Sequence, residues 1–175
     1  IRTKKLVGSS PLYVQRLKVR LRESIQLKEE LIKDIHFQES FGRAVERVVE
    51  AYRGGGRLYI AGNGGSAADA QHLAAEFISK LAKPRAPIPA EALTVDTSAL
   101  TAIGNDFGFD QVFSRQLAAK MGPHDVFLGI TTSGESRNLL RAFEECRSRK
   151  LSSIAFSGRN GGQVKNLADI CVTVP

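Results

Sequence analysis

The sequence predicts an α/β protein in which helices cover both faces of a five-stranded parallel sheet. From residue 57 onward, short apolar runs rich in β-branched residues alternate with segments of helical periodicity. Glycines follow several of these runs, as expected where a strand turns sharply into a helix. With 175 residues, the chain is long enough for one domain with a buried core. We therefore expect a single domain over residues 1–175, with a helical segment at 1–55 and a sheet core at 56–175.

Two helices are expected before the sheet. Pro11 suits the first turn of a helix, and apolar residues recur at helical spacing from Leu12 to Ile35. A second helix is predicted over residues 37–52, and the glycines at 54–56 end it.

Strands and helical segments then alternate along the chain. The strands are predicted over residues 57–61, 91–95, 125–130, 152–157 and 169–174. The helical segments are predicted over residues 67–81, 99–103, 110–120, 136–149 and 163–167, and a proline-containing loop over 83–90. This alternation is typical of a parallel sheet whose crossover connections are helices.

Composition excludes several classes of protein. Hydrophobic residues make up 42% and charged residues 25% of the chain, as in ordinary globular proteins. No apolar run is long enough to span a membrane, and no segment resembles a secretory signal. We therefore expect a cytoplasmic protein, although the sequence begins at Ile1 rather than at Met. Cys146 and Cys171 form no metal-binding or disulfide pattern and are expected to be small buried thiols.

The net charge of +7 is concentrated near the N-terminus. Such a segment could contact nucleic acid or a membrane surface, but Tyr13 is its only aromatic residue. We favour a solvated helix face and expect neither nucleic acid nor a membrane as a partner. Residues 1–22 contain no acidic side chain and seven basic ones: Arg2, Lys4, Lys5, Arg16, Lys18, Arg20 and Arg22.

Two loops that follow predicted strands have the composition of a phosphate site. In the first, GNGGS at residues 62–66, glycines permit positive φ, Ser66 is the expected N-cap and Asp69 would complete a capping box. Hydroxyls and exposed N–H groups at a helix start suit a phosphate monoester, although each loop alone could equally be a structural turn. The carboxyl ends of parallel strands meet at one edge, so both loops are expected at one site. The second loop, TTSGES at residues 131–136, supplies four hydroxyls, from Thr131, Thr132, Ser133 and Ser136.

A dinucleotide-binding turn is the alternative for the first loop. Gly62, Gly64 and Ala67 match the G-x-G-x-x-A pattern after a strand. The acidic residue that binds a ribose should follow about 20 residues later, but the nearest candidate, Asp96, lies 29 residues beyond Ala67. The Walker pattern is absent as well. We therefore favour a phosphate monoester over a dinucleotide or a nucleoside triphosphate.

Asp69, His72 and Glu76 share one face of the helix after the first loop. An imidazole and a carboxylate one turn apart can bind a metal or act as acid and base, or they can form a solvent-exposed polar pair. The surrounding alanines leave space near these side chains, which favours a site. His36 and His124 lie near a helix junction and in a turn, and both are expected at the surface.

Four segments of the chain together match one known family. They are AGNGGSAADAQHLAAEF, TVDTSALTAIGNDFGFDQVFSRQL, GITTSGESRNLL and SGRNGGQVKNLADICVTVP. On these segments, residues 54–175 resemble the sugar-isomerase (SIS) domain family, and within it the phosphoheptose isomerases. Such a combination is far more specific than either loop alone.

The resemblance implies a flavodoxin-like three-layer α/β/α sandwich that forms a homotetramer. The implied reaction converts sedoheptulose 7-phosphate to D-glycero-D-manno-heptose 7-phosphate through an enediol, for bacterial lipopolysaccharide heptose. His72 and Glu76 would bind Zn²⁺, and Glu76 would also be the catalytic base. Substrate contacts are implied for Glu76 and for a further set, namely Asn63, Gly64, Gly65, Ser66, Asn105, Asp106, Thr131, Thr132, Ser133 and Ser136.

The same resemblance implies a further helix after the position of Pro175. In the family this helix supplies a glutamine and a histidine that complete the metal site. The sequence given stops before it, so its zinc ligand set is incomplete and the activity of these 175 residues is an open question. The alternative function is a non-catalytic SIS protein that binds a phosphosugar or serves as a scaffold for the replication initiator. The initiator-binding group lacks the glutamate, so the presence of Glu76 favours the enzyme.

Overall fold

The structure, a computed structural model, describes residues 11–175. These residues belong to two compact units, of which the first ends at Gln38 and the second is Glu39–Pro175. Arg2, Lys4 and Lys5 of the basic N-terminal segment lie outside the described residues. Within the described part of the chain, no helix has both the length and the apolar character to cross a bilayer.

Two helices precede the sheet, as predicted. Helix α1 is Pro11–Lys33 and helix α2 is Ile35–Arg53. Asp34 separates them, and its Oδ1 accepts a hydrogen bond from the N–H of Phe37 at 3.0 Å, which is the geometry of an N-cap. Gly55, at a φ of 80°, follows α2, so the predicted glycine end is confirmed. Helix α1 has no buried side chain, and its exposed apolar residues include Leu17, Leu21, Ile25 and Ile32.

The second unit contains a five-stranded sheet in which every pairing is parallel. Its strands lie in the order β2-β1-β3-β4-β5. The strands are β1 Leu58–Gly62, β2 Ala90–Ala92, β3 Val126–Thr131, β4 Ser152–Gly158 and β5 Ile170–Val174. The helices that accompany them are α3 Gly65–Ile78, α4 Thr97–Phe107, α5 Ser114–Lys120 and α6 Arg137–Ser148, with short 3-10 turns at Phe109–Gln111 and Gln163–Asn166. The predicted α/β class with a five-stranded parallel sheet is therefore confirmed.

The main core fills the space between one face of the sheet and helices α5 and α6. Phe127 of β3 and Phe143 of α6 are fully buried, with ring centroids 5.1 Å apart. Gly129 lies beside them, and a Cβ there would come within 2.6 Å of the Phe143 ring. The absence of a side chain at Gly129 therefore allows α6 to pack directly on the sheet. This packing fixes the start of α6, and with it the loop that precedes the helix.

Several predicted element bounds are wrong, and those of strand β2 and helix α3 lie next to the candidate loops. Strand β2 was expected over residues 91–95, but it covers only Ala90–Ala92, because the chain turns away after Leu93 donates its N–H to the Ile60 carbonyl at 2.8 Å. Helix α3 was expected from Ala67, with Ser66 as N-cap, but it begins at Gly65 and its N-cap is Gly64. No side chain caps it, so the predicted capping box of Ser66 with Asp69 does not form.

Candidate functional site

A small polar cavity lies where strands β1 and β3 end. The two strands are neighbours, and Gly62 at the end of β1 is paired with Ile130 of β3. The loops that follow them therefore meet at one edge of the sheet, as predicted from parallel pairing. The cavity has a volume of about 170 Å³ and is lined by Asn63, Ser66, Ile130, Thr131, Thr132, Ser133 and Ser136.

The first loop turns directly into helix α3. Gly64 has a φ of 54°, a conformation that side chains disfavour. The N–H of Ser66 donates to the Asn63 carbonyl at 3.0 Å, and the N–H of Ala67 donates to the Gly64 carbonyl at 3.1 Å. Ser66 makes no capping hydrogen bond, and it lines the cavity. The start of α3 places positive helix-dipole potential at the same point.

The second loop is organised by its own hydroxyls. Thr131 is buried, and its Oγ1 accepts a hydrogen bond from the N–H of Gly134 at 3.2 Å. The Ser133 hydroxyl accepts one from the N–H of Glu135, also at 3.2 Å. Ser136 is the N-cap residue of α6, but its side chain makes no capping hydrogen bond. Thr131 thus shapes the loop, while the hydroxyls of Ser133 and Ser136 border the cavity and can donate to an anion.

A side chain that the sequence analysis missed connects the two loops. Asn138, in the first turn of α6, is only 3% exposed. Its Nδ2 donates to Asn63 Oδ1 at 2.8 Å, and Asn63 Nδ2 donates back to Asn138 Oδ1 at 2.9 Å. The partners are 75 residues apart in sequence, so no local pattern could reveal the pair.

The predicted metal-binding pair lies on α3, away from the cavity. His72 Nε2 and Glu76 Oε1 are 3.9 Å apart, and their side chains are 77% and 29% exposed. Neither residue lines the cavity. Arg85, which the sequence analysis also missed, donates to the carbonyls of Glu76 and Phe77, each at 2.7 Å. This guanidinium caps the last turn of α3 and fixes the backbone that carries Glu76.

His72 and Glu76 fit a zinc ion as two ligands. Bonds of about 2.0–2.2 Å from each atom place imidazole nitrogen and carboxylate oxygen a little over 3 Å apart in tetrahedral geometry. The observed separation of 3.9 Å closes to that value with a small side-chain rotation. Among the described residues, no third His, Cys, Asp or Glu joins them in a metal-binding group. Further ligands would have to come from outside this set.

Other predicted site residues lie away from the cavity. Asn105 and Asp106 are exposed in the last turn of α4, and Asn105 Nδ2 donates to Asp106 Oδ1 at 2.7 Å. Asp96 caps α4 by accepting from the N–H of Ala99 at 2.9 Å, which accounts for this acid without a dinucleotide. His36 and His124 are exposed, as expected.

Neither cysteine has the environment of a reactive thiol. Both are free, with Cys146 buried and Cys171 partly buried, so full burial is confirmed only for Cys146. Burial raises the pKa of the Cys146 thiol to about 12 and also raises the pKa of Cys171. Both groups are protonated and unreactive near neutral pH.

A larger groove on the other face of the sheet is unsuited to a phosphosugar. It measures about 350 Å³ and is bounded by apolar side chains of α2, α3 and the sheet, including Val48, Phe77 and Ile154. The Tyr52 hydroxyl in its wall is buried without a hydrogen-bond partner among the described residues. Burial raises the pKa of Tyr52 to about 12, so this group carries no charge either.

Comparisons with known proteins identify the family. A family profile described as SIS domain matches residues 21–158. Phosphoheptose isomerase 2 of Campylobacter jejuni is 46% identical over 91% of this chain and 79% of its own length. A solved phosphoheptose isomerase, GmhA from Neisseria gonorrhoeae, superposes with a TM-score of 0.84 at 41% identity, over 93% of this chain and 86% of its own. Another from Francisella tularensis gives a TM-score of 0.87 at 35% identity with the same coverages. The chain therefore belongs to the SIS domain family, and within it to the phosphoheptose isomerases.

Proposed function

We propose that this protein is an aldose-ketose isomerase that converts sedoheptulose 7-phosphate to D-glycero-D-manno-heptose 7-phosphate. Its similarity to phosphoheptose isomerases over 91% of the chain supports this assignment. The observation that carries it is the hydroxyl-lined cavity formed by two helix-starting loops on adjacent strands. The product would supply the heptose of bacterial lipopolysaccharide, and we expect the reaction in the cytoplasm.

The cavity is proposed to bind the phosphate group. Hydroxyls of Ser66, Ser133 and Ser136 surround it, and the N-termini of α3 and α6 begin beside it. Hydroxyl and main-chain donors at helix starts stabilise a phosphate dianion without a fixed cation. Binding energy from this remote group then positions the reacting carbons.

Glu76 is proposed to move the proton in the isomerisation. The reaction requires removal of a proton from C1 of the ketose and its return at C2, through an enediol. A carboxylate can carry that proton between adjacent carbons. Arg85 holds the main chain of Glu76, and the Glu76 side chain is only partly exposed.

His72 and Glu76 are proposed to hold a zinc ion. When bound, this ion would supply Lewis-acid stabilisation of the negative charge that develops on the sugar oxygens. His72 would contribute a neutral imidazole nitrogen, and Glu76 a carboxylate oxygen.

The distance between the cavity and Glu76 supports a site shared between copies of the chain. The homotetramer expected from the resemblance would provide such a site. Ser66 and Glu76 are ten residues apart in α3, which at 1.5 Å per residue separates them by about 15 Å along the axis. An extended seven-carbon phosphate reaches only about 10 Å from C1 to phosphorus. The remaining distance of about 5 Å would have to be covered by side chains and hydrogen bonds. We propose instead that Glu76 of one copy serves the cavity of another. Exposed apolar residues of α1, such as Leu21 and Ile25, are available for contacts between copies.

Two single variants and their mixture test this proposal. Glu76→Gln should abolish turnover of sedoheptulose 7-phosphate but retain phosphosugar binding, because the amide cannot accept the proton. Ser133→Ala should mainly raise KM, because a phosphate donor is lost. At substrate concentrations far below the raised KM, mixed oligomers assembled from both variants should turn over substrate faster than either variant alone, since some interfaces then pair an intact Glu76 with an intact Ser133. Near-normal kcat in Glu76→Gln would refute the base role.

Other outcomes separate the alternative function. If the longer gene product binds the phosphosugar tightly but turns it over neither with nor without a chelator, a non-catalytic phosphosugar-binding role would replace the enzyme. If mixing the variants restores nothing while each variant still assembles, the shared site between copies would be wrong.

A further inference from the structure

The two loops that border the cavity are joined by a pair of carboxamides, of which Asn138 is buried and Asn63 partly buried. Asn63 and Asn138 exchange two hydrogen bonds, at 2.8 and 2.9 Å, in a reciprocal arrangement. Asn63 belongs to the first loop and borders the cavity, while Asn138 lies two residues beyond Ser136 of the second loop. Each amide thus offers one N–H and one oxygen to the other, and both loops are tied at a fixed separation.

The location of Asn138 is unusual for its residue type. It lies in the first turn of α6, where asparagine is a poor helix former, and it is almost fully buried. A buried carboxamide is costly unless its donor and acceptor both find partners. The Asn63 side chain meets that need, and no smaller or apolar residue at 138 could hold Asn63 in return.

We propose that Asn138 is a positioning residue, which holds Asn63 and the first loop at the distance from the second loop that phosphate binding requires. Asn63 then approaches the phosphate chiefly through its main chain, because its carboxamide is engaged with Asn138. This inference rests on the proposed role of the cavity as the phosphate site.

The pair also fixes the position of one helix start relative to the other. Helices α3 and α6 both begin beside the cavity, and main-chain N–H groups at each start would face a bound phosphate. Their joint effect depends on both starts facing the same point, which a movement of either loop would abolish. Loss of the amide pair should therefore weaken phosphate binding more than it alters the chemical step.

The test compares Asn138→Ala, Asn63→Ala and the double variant with a matched control. Gln116→Ala removes another buried carboxamide, whose Nε2 donates to the Leu93 and Val112 carbonyls at 3.0 and 2.9 Å, outside the cavity. Measurements are KM and kcat with sedoheptulose 7-phosphate, the inhibition constant of inorganic phosphate, and the thermal midpoint.

We expect Asn138→Ala to raise KM and the phosphate inhibition constant about tenfold, with kcat changed far less. The double variant should resemble Asn138→Ala, because one interaction is lost in both. Gln116→Ala should lower the thermal midpoint but leave KM and the inhibition constant unchanged. If Asn138→Ala does not fold, Asn138→Asp keeps the size of the side chain but places two acceptor oxygens opposite each other, and the same rise is expected.

Three results would overturn the inference or its basis. A folded Asn138 variant with KM and phosphate inhibition within twofold of the wild type would refute the positioning role. Multiplicative effects of the two single variants would show that the residues act independently. If the wild-type chain neither binds nor turns over the phosphosugar, the proposed function itself fails, whatever the variants do.

Discussion

Replacement of Gly134 by alanine should destabilise the second loop through both backbone strain and contact with main-chain atoms. Gly134 has a φ of 71°, where an L side chain costs about 1–2 kcal/mol. A Cβ there would also lie 2.1 Å from the Gly161 carbonyl oxygen and 2.9 Å from Gly162 Cα. Main-chain atoms cannot rotate away, so the loop after β4 must shift, and overpacking of this kind costs about 1–3 kcal/mol.

The expected loss in the free energy of unfolding for Gly134→Ala is therefore about 2–5 kcal/mol, a large share of typical domain stability. Urea denaturation followed by circular dichroism measures it, and KM for the phosphosugar should rise in the same variant. Gly55→Ala is the matched control, because Gly55 also has positive φ, 80°, but a Cβ there meets nothing within 4 Å. The control should lose only about 1–2 kcal/mol. Equal losses in the two variants would refute the argument from the close contact with Gly161.

Two further predictions concern α3 and the buried thiol. Arg85→Ala should increase hydrogen exchange in the last turn of α3, because the carbonyls of Glu76 and Phe77 lose their donors. It should also lower kcat with KM nearly unchanged. An unchanged kcat would show that Arg85 does not support Glu76. The free energy of unfolding should fall as pH rises from 9 towards 12, because burial raises the pKa of Cys146 and the unfolded chain loses that proton first. Urea denaturation at pH 7, 9 and 10.5 measures this, and Cys146→Ala should flatten the decline; an identical slope in that variant would assign it to other groups.

The sheet could be predicted because its information is local. Each strand is a short apolar run, and parallel pairing follows from the helices between the runs, so β1, β3, β4 and β5 lie within a residue or two of their predicted bounds. Strand β2 was misplaced because Ala90–Ala92 carries little β propensity, and pairing with β1 decides its position.

The candidate site was only partly predictable, because some of its contacts join residues that are distant in the sequence. Glycines and hydroxyl-bearing residues predict the two loops from the sequence. The N-cap of α3 was predicted at Ser66 but is Gly64, which has a positive φ in the turn. Asn138 and Arg85 act through partners that only the tertiary structure brings near, at 75 residues in one case. Whether the predicted Asn105, Asp106, Gly64 and Gly65 contact substrate stays a prediction, since none of them lines the cavity.

Every described side chain that lines the cavity is uncharged. Recognition of the phosphate would thus depend on the tetrahedral arrangement of donors rather than on attraction between opposite ions, and physiological salt should barely weaken it. Substrate and product carry the same phosphate, so this site binds both alike. Without a counter-ion, release of the product does not require an ion pair to break. In a reversible isomerisation the two ligands differ only at C1 and C2. A phosphate site that depends on donor geometry therefore suits both directions of the reaction.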